Sequence, residues 1–184
     1  IPSLLSGSVA VAILWKVLFM NDGFINSLLG LVHIGPVKWL GTPDMAVITI
    51  CMLEIWQFGS SMLIFLSSLK QIPQSLYEAA RVDGSNKWQQ FWKITLPLLT
   101  PTIFFNLVMQ MINGFLAFTQ CYIITQGKPM DSTLFYTVYM YEQSFQFNNA
   151  GYGAAMAWVM LLIIALITAV LFGTKKFWVY EGGL

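Results

Sequence analysis

Apolar residues in this chain gather into four long runs, covering about residues 1–20, 45–69, 98–125 and 152–173. A membrane helix needs about 20 predominantly apolar residues, so each run is long enough to cross a bilayer with some tilt. The pattern predicts an all-α, polytopic transmembrane bundle forming a single domain over residues 1–184. Three connections separate the runs. Residues 21–44 hold an Asn21-Asp22-Gly23 turn and Gly35-Pro36, and 126–151 mix Gly127, Pro129 and Asp131 with aromatic residues. The connection 70–97 is the most polar segment of the chain.

Composition agrees with the pattern. Of 184 residues, 57% are hydrophobic and 9% charged, and the mean hydropathy is +0.69. An average soluble domain carries about 25% charged residues, so a soluble enzyme, a nucleic-acid-binding module and a disordered chain are all disfavoured. The net charge of +1 supplies no basic field for nucleic acid. Cys51 and Cys121 fall in apolar runs and read as buried, inert thiols. Ile1 already lies in apolar sequence, and Ile1-Pro2-Ser3 has no basic region of the kind that opens a signal peptide.

Lys and Arg set the expected orientation. The 70–97 connection holds Lys70, Arg81, Lys87 and Lys93, and the C-terminal tail holds Lys175 and Lys176. Opposite them stand only Lys16, Lys38 and Lys128. The 70–97 connection and the C-terminus are therefore expected on the cytoplasmic side. Trp39, Trp56, Trp158 and Trp178 are candidate interface anchors, with burial in the bundle an equal alternative for Trp56 and Trp158.

Within 70–97 the sequence reads as two short helices on the membrane surface. Pro73 suits a first helical turn, while Ser75 with Glu78 fits a capping box; the two starts compete. Gly84 fits the left-handed stop of that helix. Ser85 is a candidate cap for the next helix, and Pro97 its expected end. Leu76, Tyr77, Ala80 and Val82 offer apolar contacts, Ala79 and Ala80 permit close approach, and Glu78, Arg81 and Asp83 add charge beside them. That is a compact docking knob; an ordinary amphipathic helix on lipid headgroups is the plainer alternative.

Glu78-Ala79-Ala80, then Gly84, then Ile94-Thr95-Leu96-Pro97 resemble the EAA loop of ABC importer permeases, spacing included. The resemblance implies a coupling helix that sits in a cleft of a separate ATPase. It assigns that role to Glu78, Ala79, Ala80 and Gly84, and the charges of Arg81 and Asp83 beside them complete the candidate coupling set. Residues 23–30, Trp39-Leu40-Gly41, 62–66 and 71–73 are similar to carbohydrate-importer permeases, and the tail 175–182 is similar to the maltose-permease F-type subunit. Such permeases usually have six spans, so the resemblance implies that this sequence carries four of them and lacks the first two.

Polar residues inside apolar runs are the candidate solute path. Glu54 is the one acidic residue deep in a run, with Trp56 and Gln57 beside it. Asn106, Gln110 and Asn113 recur at i, i+4 and i+7, with Ala117 and Gln120 extending the line. Amides and a carboxylate near Phe104, Phe115 and Phe118 suit a sugar, whose hydroxyls need donors and acceptors and whose C–H faces pack on rings. Interhelical hydrogen bonding is the competing role for each of them. Gly151 and Ala155 form a small-xxx-small pair that suits close helix packing, within the chain or against a second permease. His33 has no companion for metal binding.

No P-loop, H-E-x-x-H or G-x-S-x-G sequence occurs. The chain is thus expected to be a transport subunit without catalytic residues, metal or cofactor of its own. The resemblance implies partners: a second permease, two copies of an ABC ATPase that bind ATP and Mg, and an extracytoplasmic solute-binding protein. It places the assembly in a bacterial or archaeal cytoplasmic membrane. An ATPase-independent channel or secondary carrier, or a non-transporting permease fragment, are the alternatives.

Overall fold

The computed structural model describes residues 9–180. Their regular elements are all helices, with no strand among the described residues. The start of the first apolar run and the end of the tail, including Glu181 and Gly182, lie outside them. The helices are α1 (Val9–Leu18), α2 (Phe24–Leu31), α3 (Pro43–Gln57), α4 (Gly59–Gln71), α5 (Gln74–Val82), α6 (Lys87–Gln90), α7 (Leu96–Phe115), α8 (Thr119–Ile124), α9 (Tyr136–Tyr141) and α10 (Ala150–Trp178). Two π-helical turns, Phe91–Thr95 and Glu142–Gln146, follow α6 and α9.

Among the described residues, two stretches are long and apolar enough to cross a membrane alone, Lys87–Ile124 and Ala150–Trp178. The run predicted over 45–69 is interrupted at Phe58, so α3 and α4 make a third span only as a broken pair. The described part of the first run, Val9–Leu18, is a shorter apolar helix. The chain divides into two compact units, Ile1–Gly59 with Gly114–Leu161, and Ser60–Asn113 with Leu162–Leu184.

In the first unit, Val11 and Ala12 of α1 pack with Leu53 and Ile124, and Trp15, Leu40 and Ile123 close over them. A second cluster joins Ile50, Cys121 and Val138. Cys121 is buried as expected, whereas Cys51 is exposed. The connection 21–44 is built around Asn26, which is almost fully buried. Its amide donates to the carbonyls of Asn21 and Val37, both at 2.9 Å. Its oxygen accepts from the Val37 backbone N–H at 3.1 Å and from the Trp39 indole at 3.0 Å.

The expected close packing at the start of the last helix uses a different glycine. Gly151 and Ala155 are exposed, while Gly153, Met156 and Met160 form the buried line. A Cβ at Gly153 would stand 1.8 Å from Ser144 Oγ and 3.0 Å from Ser144 Cβ. In a helix apolar all round, the pattern does not say which small residue faces a neighbour. Gly153→Ala is expected to cost about 1–3 kcal/mol through overpacking, read as a lowered Tm in detergent. Adding Ser144→Gly should recover most of it, and no recovery would refute this contact.

In the second unit, Phe104 packs edge-on against Phe172 and Trp178, at 5.0 and 5.8 Å between ring centroids. The helix does not end at Pro97 as the sequence reading expects. It continues through Phe91–Thr95, where the Leu96 N–H bonds the Phe91 carbonyl five residues back. This wider turn tolerates a proline that lacks a donor and clashes with a regular α-turn. Pro101 lies inside α7 and has no N–H for the Pro97 carbonyl. The Thr100 hydroxyl donates to that carbonyl instead, at 2.6 Å, and accepts from the Tyr180 N–H at 2.8 Å.

Candidate functional site

The 70–97 segment lies within the second unit. Its first helix, α5, starts after Pro73, which occupies the N-cap in an extended conformation. Neither sequence-predicted start therefore applies: Pro73 lies one position outside the first turn, and no side chain caps the helix. The stop is the predicted one. Gly84 has φ +77°. Its N–H bonds Arg81 O at 3.0 Å, and the Ser85 N–H bonds Ala80 O at 2.9 Å. That pair of bonds is the Schellman closure of a helix. The next helix is capped by Asn86 rather than Ser85. Asn86 Oδ1 accepts from the Gln89 N–H at 2.8 Å, and Gln89 Oε1 accepts from the Asn86 N–H at 2.9 Å. The Asn-x-x-Gln spacing of this box was available in the sequence.

Tyr77 turns inward, its hydroxyl 2.8 Å from Thr95 Oγ1, and Ala80 is half-buried. The outer face presents Leu76, Glu78, Ala79, Arg81, Val82 and Asp83, all exposed. Val82 is 87% exposed, which in a nine-residue helix closed at its C-terminal end and braced by Tyr77 marks a protruding apolar contact. Rigid closure plus an exposed mixed apolar and charged face is what a docking helix requires.

The amide line divides. α7 ends at Phe115, and residues 116–118 are not helical, so Ala117 and Gln120 do not continue the face of Asn106, Gln110 and Asn113. The Ala117 carbonyl leaves the helical pattern and accepts from the Thr137 hydroxyl. In the second unit, Asn106 is buried and donates to Thr102 O of its own helix at 3.0 Å. Gln110 donates to Ser61 Oγ on α4 at 3.2 Å, and Thr102 pairs with Ser68 at 2.7 Å. Ser61 and Ser68, seven residues apart on one face of α4, face Gln110 and Thr102 as an antiparallel helix pair requires. The sequence reading missed both serines, although their spacing carried the signal. Asn113 is exposed.

In the first unit, Gln57 is buried, and its Oε1 accepts from Gln120 Nε2 at 3.5 Å. Trp56 is 40% exposed and stands 5.6 Å from the Trp15 ring. Glu54 is exposed. Phe118, Tyr122, Tyr141 and Phe145 form a chain of rings with centroids 5.0–5.2 Å apart. The charge and hydrogen bonding of Tyr122 hold the Tyr141 phenol above the ordinary tyrosine value. Phe118, Met140, Tyr141, Phe145 and Ala157 border an apolar cavity of about 620 Å³. No group of three or more metal-ligating side chains occurs among the described residues.

The sequence profile described as "Binding-protein-dependent transport system inner membrane component" matches residues 1–177. A probable ABC transporter permease protein of Bacillus subtilis, YesP, is 54% identical over 98% of this chain and 59% of its own length. The sulfoquinovosyl glycerol transport system permease protein SmoG of Agrobacterium fabrum is 38% identical over 80% of this chain and 48% of its own. The lactose transport system permease protein LacF of Rhizobium radiobacter is 35% identical over 89% and 57%. The chain thus spans about half to three fifths of these relatives. A crystal structure of a bacterial alginate ABC transporter, in complex with an alginate pentasaccharide-bound periplasmic protein, has a similar chain. The TM-score is 0.85 at 22% identity, over 96% of this chain and 62% of that one. At that identity the likeness concerns the fold alone.

Proposed function

The chain belongs to the family of binding-protein-dependent transport system inner membrane components, and from that premise we propose that it is a permease subunit of an ATP-driven importer for a sugar or sugar-like solute. It is a transport subunit and not an enzyme. The observation that carries the reading is α5: an exposed helix bearing Glu78-Ala79-Ala80, closed by Gly84 and braced by Tyr77 on Thr95. In this reading the 70–97 loop docks on a separate ATPase, which binds ATP and Mg, and an extracytoplasmic binding protein delivers the solute to the opposite side. A second permease completes the pathway, and the 70–97 loop and the C-terminus face the cytoplasm.

The mechanism is alternating access. ATPase closure moves α5 only if the ATPase binds the two permease states with different free energy. Within each unit the solute contacts are drawn from the polar set already named. These are Glu54, Trp56, Gln57 and Gln120 in the first, and Asn106, Gln110 and Asn113 in the second. The carbohydrate class is supported by what the relatives are named for, lactose and sulfoquinovosyl glycerol among them. Four spans within one permease domain remain part of this proposal, with the broken α3–α4 pair as one of them.

The test is purification of the full-length subunit in mild detergent, with co-purifying proteins identified by mass spectrometry. Recovery of a P-loop ATPase together with a second permease is the expected result. A stable, folded subunit that recovers no ATPase would overturn the proposal in favour of a channel or secondary carrier.

A further inference from the structure

Trp88, Phe91 and Trp92 form a cluster of rings on one side of the α6 and π-helical segment, one pair stacked and two edge-on. Trp88 lies 6.3 Å from Phe91 and 5.7 Å from Trp92, and Phe91 lies 5.4 Å from Trp92, centroid to centroid. The i, i+3 and i, i+4 spacings put all three on one face. Their exposures are 70%, 42% and 50%. The opposite face is committed to the fold. Gln90 is buried and donates to Ser85 O at 3.0 Å, and Thr95 is buried against Tyr77. The segment is thus fixed in place with three large rings facing outward.

Position and charge identify what covers them. α7 has 20 residues, about 30 Å of helix, which matches the hydrocarbon thickness. Trp92 stands four residues before α7, about 6 Å further along the axis. That falls within the headgroup layer, which is roughly 5–8 Å deep on each side. Trp88 and Lys87 come one turn further out. Lys87 and Lys93 are exposed and flank the rings, and no acidic residue occurs between Asp83 and Asp131. A second basic–aromatic set, Lys175 and Lys176 with Phe177 and Trp178, ends α10 in the same unit, with the Lys176 ammonium 5.0 Å from the Phe177 ring centre.

We infer that Phe91, Trp92 and Lys93 form a docking surface for the headgroup layer of an anionic phospholipid bilayer, with Trp88 and Lys87 just outside that layer and within reach of its surface charge. Amphipathic rings sit at that depth, and lysines beside them attract anionic lipid. The surface holds the helix after α5 at the bilayer, so that α5 alone projects from the loop. The inference rests on the chain's membrane family and not on the solute or the ATPase.

The test uses the full-length subunit in nanodiscs of phosphatidylcholine with or without phosphatidylglycerol. Fluorescence lost in Trp92→Phe, and separately in Trp88→Phe, isolates each indole without emptying the site. The isolated Trp92 signal should be quenched more by lipid brominated near the glycerol backbone than by lipid brominated deep in the chains. Lys87→Gln with Lys93→Gln should lower the preference for phosphatidylglycerol by about fivefold per lysine. A Trp92 signal that no brominated lipid quenches would overturn the inference. So would a signal shielded only when an ATPase is added, which assigns the face to a protein. An unchanged lipid preference in the lysine variant would overturn its anionic part.

Discussion

Asn26→Leu is expected to lower the stability of the first unit by about 2–4 kcal/mol. The residue is nearly isosteric with leucine, so packing volume is not the cause. The amide makes four hydrogen bonds, to Asn21 O, Val37 O, the Val37 N–H and the Trp39 indole. Leucine leaves all four partners without their bond, and each buried orphan costs about 1–3 kcal/mol. Val37 and Trp39 are only half-buried, so water replaces part of what is lost and the total stays below the sum. Trp39→Phe separates the terms. It keeps a ring against Phe19, now 5.3 Å away edge-on, and removes only the indole donor. A double-mutant cycle between positions 26 and 39 should return about 1 kcal/mol of coupling, measured by thermal unfolding in detergent. A coupling near zero would refute the role of Asn26 as the hub of this connection.

The hub was present in the sequence as one Asn among several turn-forming residues, with nothing to set it apart. Gly84 differs in kind. A glycine closing a short amphipathic stretch has few other uses, and its φ of +77° bears out the reading. The all-helical architecture was legible because runs of 20 or more apolar residues leave little alternative. The interruptions were not. At Phe58 and at 116–118 the apolar pattern runs on while the backbone departs from the helix, and composition carries no trace of that. Pro97 misled in the opposite direction: its local preference to end a helix is overcome by a wide turn that relieves the clash. Ser85 and Asn86 are both good caps, and only Gln89, three residues after Asn86, decides between them. In the candidate solute path, the i, i+4, i+7 spacing correctly put Asn106, Gln110 and Asn113 on one face of α7. It did not say that Asn106 would bond its own helix and Gln110 the serine of another.

Gly84→Gln and Gly84→Glu should both abolish most ATPase co-purification, while Gly84→Asn should retain it. A Cβ at Gly84 would meet nothing within 4 Å in this chain, so crowding inside the subunit is not the cause. The cost is conformational. A left-handed backbone disfavours an ordinary side chain by about 1–2 kcal/mol, whereas Asn visits it routinely. The Schellman bonds from Gly84 to Arg81 and from Ser85 to Ala80 hold the end of α5. Releasing them lowers the population of the closed helix by roughly 5–30-fold, and solute uptake by the assembled transporter should fall in proportion. Equal effects of Gln and Glu would assign the loss to backbone geometry rather than added charge. Loss in Gly84→Asn as well would refute the conformational account. Since the space beside Gly84 is open in the subunit alone, a surface of the ATPase would then have to fill it.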